Sequence, residues 1–106
     1  MLSDLDKKVV SKFASAVRSK YPTARVWAFG SRARGKAISE SDLDVCVVVD
    51  KLNDKIDATI MEMAWQTGFE SDIVISTVTY SRQEFENGPC SKSRLVRNIL
   101  DFGIAA

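Results

Sequence analysis

The sequence predicts an α/β fold of the α+β kind, a small mixed sheet packed with helices. Strand-length apolar runs occupy about 24–29, 42–50 and 72–80, and helical periodicity precedes the first, joins the second to the third and follows the third. The long helix between the second and third runs makes a right-handed crossover unit, so those two strands should be parallel. Asp42, Asp44 and Asp72 then stand at one sheet end, and Gly30 meets them only if the first strand is antiparallel to the second. Such a site lies at strand starts, whereas doubly wound sheets bind ligands at the C-terminal ends of their strands.

Taken in order, Ser3 to Lys20 carries Leu5, Val9, Phe13, Ala16 and Val17 near helical spacing. Ser3 with Asp6 resembles a capping box, and Pro22 forbids continuation past Tyr21. Its other face, with Lys7, Lys8, Ser11, Lys12 and Ser15, reads as a solvated surface. After Asp44 the second strand is apolar on both faces, as a covered central strand should be. Asn53 and Asp54 supply the next helix start, Ile56, Ile60, Met63, Ala64 and Thr67 its buried stripe, and Gly68 its end. The third strand is rich in β-branched residues. Ser81 with Glu84 opens a short helix that Gly88-Pro89 ends. Ser91 is expected to cap the last helix, with stripe Leu95, Val96, Ile99, Leu100 and Phe102 and Gly103 after it. Trp27 and Trp65 read as core.

The stretch that organises the chain is Gly30-Ser31-Arg32-Ala33-Arg34-Gly35, followed by Ser41-Asp42-Leu43-Asp44. Carboxylates two residues apart on a strand project to one face, with Cα atoms roughly 6.5 Å apart, which suits hard cations. Ahead of them a glycine permits a tight turn, and the N–H groups opening a short helix can cradle phosphate. Phosphate cradle and metal-binding acids in one unit make the chemistry of nucleotidyl transfer. The bland reading makes Asp42 and Asp44 turn formers after Ser39-Glu40-Ser41. Against it, Asp44 lies inside an otherwise apolar strand, where an unpaired charge is costly.

Gly30-Ser31, the ten residues Arg32 to Ser41, then Asp42-Leu43-Asp44 resemble the signature of the minimal nucleotidyltransferases of the DNA polymerase beta-like superfamily. The resemblance extends to the N-terminal helix, the acidic third-strand start and the closing Ser-Arg-Leu-Val-Arg-Asn-Ile-Leu helix. It implies the nucleotidyltransferase fold, with Asp42 and Asp44 holding magnesium. Gly30, Ser31, Arg32 and Arg34 are implied to meet the nucleotide phosphates; Lys36 stays open between that task and solvent. A third carboxylate is implied on the third strand, as metal ligand or proton acceptor. Asp72 takes that place, but Ser71 precedes it where the family has an apolar residue, so a turn role also stays open. Glu70 is a further candidate for the same task.

Composition narrows the class. The 106 residues are expected to form a single domain, 1–106, with a core but no separate substrate domain. A net charge of +1 supplies no general field for nucleic acid. No segment reads as a signal peptide or a membrane span, so cytoplasm is the default location. With no histidine and two cysteines, a structural zinc site is not expected and histidine-based catalysis is excluded; Cys46 reads as core and Cys90 as a turn residue. The leading expectation is AMP transfer from ATP to a hydroxyl. The resemblance implies that the acceptor is a tyrosine on a HEPN-domain toxin, for which the chain is the antitoxin. Two alternatives stay open: a small-molecule transferase whose pocket forms between subunits, and an idle nucleotide-binding module that neutralises its partner by contact.

Overall fold

The computed structural model describes residues 2–33 and 42–106, without the side chain of Cys90. Its elements are α1 (Asp4–Lys20), β1 (Arg25–Phe29), α2 (Gly30–Ala33), β2 (Leu43–Val49), α3 (Asp54–Ser71), β3 (Ile75–Ser81), α4 (Arg82–Glu86), a 3-10 turn (Pro89–Lys92), α5 (Arg94–Phe102) and β4 (Ile104–Ala105). Among the described residues the sheet has four strands in the order β3-β2-β1-β4. β1 is antiparallel to β2 and β2 is parallel to β3, as the convergence of the acidic residues required. The two-residue β4 has no counterpart in the sequence reading. It pairs antiparallel with β1, Ala28 facing Ile104, and its length is too short to leave a periodic signal.

Helices cover both sheet faces. Leu43, Val45, Val47 and Val49 look towards α1 and α3, where they meet Phe13, Val17, Ile60 and Ala64. Cys46 and Val48 look the other way and pack with Trp27, Phe85 of α4, and Val96 and Ile99 of α5. Period two therefore assigns Asp42 and Asp44 to the α5 face, in line with Cys46. The Cys46 thiol is fully buried, and that burial pushes its pKa up to about 12, against the pull of Arg25; it is an inert core group.

Local signals place most helix starts. Ser3, Asn53 and Ser81 each accept the predicted N-cap hydrogen bond, and Ser81 with Glu84 completes a capping box. Several readings need correction, among them the expected α5 stripe, whose Leu100 and Phe102 are exposed. The last helix is capped by Ser93, not Ser91, because the 3-10 turn consumes the residues after Pro89. Gly68 lies buried inside α3 and does not end it. The helix runs to Ser71, and the Gly68 carbonyl accepts from Ile73 N–H at 2.9 Å, so a side chain there would overlap the Ile73 carbonyl. The third strand consequently begins at Ile75, three residues after Asp72. Leu5 is 56% exposed and Trp65 69% exposed, while Asp6 is buried in Leu5's stead. Among the described residues no helix is long and apolar enough to cross a membrane.

Candidate active site

β1 ends at Phe29, whose antiparallel partner is Asp44, and the chain turns at once into α2. Gly30 makes that turn with φ of +78°, a left-handed conformation that glycine adopts without cost. A Cβ at Gly30 would overlap Asp44 Oδ2 and lie 3.2 Å from Asp44 Cγ. The missing side chain thus lets the turn backbone rest on the carboxylate. Backbone geometry and close approach both demand glycine. Gly30→Ala is expected to reduce nucleotide binding at least tenfold, by strain and by displacing Asp44. Isothermal titration with ATP and magnesium checks this, and unchanged affinity would separate the turn from the site.

Asp42 is exposed just ahead of β2, and Asp44 is half-buried inside it. Partial burial, and then the negative charge of Asp42, hold the Asp44 carboxyl above its ordinary value of 3.8. The pair has the chemistry of a divalent-cation site: hard oxygen donors, one open to solvent, whose mutual repulsion a cation would relieve. Among the described residues α5 covers the Cys46 part of this sheet face, and Asp42 stays exposed.

Ser31 is exposed on α2, and the next residue departs from expectation. Arg32 Nη1 lies 2.8 Å from Asp6 Oδ1 in the first turn of α1, their side chains 10% and 5% exposed. The arginine expected at phosphate is thus anchored to a buried acid. The signal for this partner was Asp6 itself, read from sequence as half of a capping box. Ser3 does accept from Asp6 N–H at 3.1 Å, but the Asp6 carboxylate turns to Arg32. Arg34, Gly35, Lys36 and the segment up to Ser41 lie outside the described residues.

Asp72 is exposed at the α3 C-cap in a left-handed conformation, φ 56° and ψ 41°. It stands at the same sheet end as Asp42 and Asp44, ahead of the strand. The β3 residue beside Asp44 is Ser76. Among the described residues no three carboxylate, cysteine or histidine side chains gather as a metal site, and the charge interaction seen at Asp44 is with Asp42. Glu70 faces Lys12 at 2.5 Å, which lowers its pKa and ties α3 to α1.

Known proteins share the fold. In solved structures the fold is similar to a toxin–antitoxin crystallised with AMP-PNP, with TM-score 0.61 and 19% identity over 90% of this chain and 69% of that one. It is also similar to a Sulfolobus solfataricus protein assigned as a nucleotidyltransferase, with TM-score 0.52 and 25% identity over 74% of this chain and 69% of that one. No curated protein matches the chain significantly. The family model of the nucleotidyltransferase domain matches residues 10–105, a span holding both the glycine turn and the aspartate pair. The chain belongs to the nucleotidyltransferase domain family.

Proposed function

We propose that the chain transfers AMP from ATP to a hydroxyl on a partner protein, a tyrosine of a HEPN-type toxin, and so acts as its antitoxin. The observation that carries the transfer chemistry is the contact between the Gly30 turn and the Asp44 carboxylate, with Asp42 two residues before it. In this reading the turn N–H groups, Ser31 and Arg32, with Arg34, orient the triphosphate. Asp42 and Asp44 would hold magnesium, which when bound neutralises charge on the phosphates during attack at the α-phosphorus. The acceptor oxygen bonds to that phosphorus, pyrophosphate leaves, and a carboxylate takes the hydroxyl proton. A protein acceptor and the antitoxin role draw support from the toxin–antitoxin neighbour bound to a triphosphate analogue.

Asp72 is assigned the proton. Asparagine tolerates the left-handed cap as well as aspartate does, so Asp72→Asn tests the carboxylate and spares the turn. The variant is expected to bind ATP and magnesium normally while transfer falls roughly 10²-fold or more. Labelled ATP with the co-purified partner, followed by mass spectrometry for an added AMP, measures it. Undiminished transfer would return Asp72 to a turn role.

The idle-module reading is favoured by one observation, Ser76 beside Asp44 where a third carboxylate would complete the cluster. The same assay separates the two, because contact alone leaves no covalent label.

A further inference from the structure

An exposed apolar stripe lies around the β3 edge. Met61, Trp65 and Phe69 follow one another at intervals of four along α3, exposed by 56%, 69% and 75%, with Val74 at 64%. Trp65 and Phe69 stack, ring centroids 5.4 Å apart. Residues four apart lie on one helical face, and this stripe, of which the sequence reading put only Trp65 in the core, has no covering element among the described residues. It lines one wall of a groove of about 1010 Å³ whose other wall runs from Asp72 to Thr77. Contiguous aromatic surface of this kind marks an interaction site.

Two features identify the occupant. The ionisable residues lining the groove are Glu62 and Asp72, both acidic and exposed. The last turn of α3 carries no basic residue, so its negative dipole end adds to their field. The groove also reaches Ser76 on the β3 edge, while Asp44, beside it in the ladder, points to the opposite sheet face. We infer that this groove docks a cationic amphipathic helix of the acceptor protein, apolar side chains against Met61, Trp65 and Phe69 and basic ones against Glu62 and Asp72. A helix is favoured because the exposed stripe forms a ridge at four-residue spacing, which interleaves with another helix. Docking there holds the partner at the β3 edge, one strand from β2, which supplies acceptor selection. That role rests on the transfer reading above; the binding itself does not.

The test uses the whole chain labelled with nitrogen-15 and, as probe, a helical peptide of leucine and lysine roughly 18 residues long, with its leucine–glutamate counterpart as control. The leucine–lysine peptide is expected to bind saturably, shift the Trp65 emission to the blue and perturb amides from Met61 to Thr77. Phe69→Asp should weaken it roughly 30-fold, and Glu62→Lys roughly two- to fivefold. The acidic peptide should not bind. Equal binding of both peptides, or perturbation centred elsewhere, would overturn the inference. So would free protein whose self-association hides Trp65 and is abolished by Phe69→Asp, which assigns the groove to a second copy. Perturbation of the same amides by ATP alone would assign it to the nucleotide instead. ATP and magnesium titrated separately report on the catalytic reading, so loss of nucleotide binding with intact peptide docking would sink that reading alone.

Discussion

Replacing Asp42 and Asp44 together by asparagine is expected to lower nucleotidyl transfer by at least about 10³-fold, since both proposed metal-binding oxygens and their charge are lost. The fold should survive, and the metal-free protein should become more stable. Asp44 has its pKa raised in the fold, by partial burial and by Asp42. Between its ordinary and raised values the folded chain holds more protons than the unfolded one, so stability falls as pH rises through that interval. Above it the full penalty of the ionised group remains. The stability gained by Asp44→Asn should therefore be absent at pH well below 3.8, grow through the acid range and level off by neutral pH. Thermal melts of wild type and variant across that range, without divalent metal, measure the difference. A variant that melts well below wild type at neutral pH would give the pair a structural role. Full transfer activity in the double variant would remove the site.

The second large effect is expected at Asp6, far from the motif in sequence. Asp6→Ala leaves the Arg32 guanidinium buried without this counter-charge, and removing one partner of a buried pair costs about 3–5 kcal/mol. Arg32→Ala should cost a similar amount, while Asp6→Leu with Arg32→Met should lie nearer wild type, because neither charge stays buried. Urea denaturation of the four proteins closes the cycle, and additive single effects would show that the pair does not couple. Nucleotide binding adds a second readout. If Arg32 meets the β and γ phosphates, Arg32→Ala weakens ATP by about 1.5–3 kcal/mol more than AMP. Asp6→Asn, which keeps shape and removes only the charge, should weaken the two nucleotides equally. An arginine variant that treats ATP and AMP alike would make Arg32 an anchor for the turn alone.

These expectations also show which level of structure carried each feature. The strand directions around the site were legible because Gly30, Asp42, Asp44 and Asp72 were expected at one sheet end, and only one combination of directions allows it. Ser3, Asn53 and Ser81 were legible because an N-cap is a contact within four residues. Asp42 and Asp44 share a face for the same local reason, the period of two along a strand. Their assignment to the α5 side was not legible, since either face of β2 is apolar beyond Asp44 and only the partners of Cys46 and Val48 distinguish them. Trp65 looked like core by composition, yet no element of the described chain reaches it. Gly68 looked like a helix end, yet its role is a close approach to Ile73, five residues on. Asp72 looked like a strand residue, yet that same continuation of α3 made it the cap. The Asp6–Arg32 pair spans 26 residues and gives no periodic signal; a buried charge finds its partner through packing. Sequence alone determined the local periodicity and the motif spacing. The tertiary structure decided burial, charge pairing and the open groove, because each depends on which distant element arrives to cover a surface.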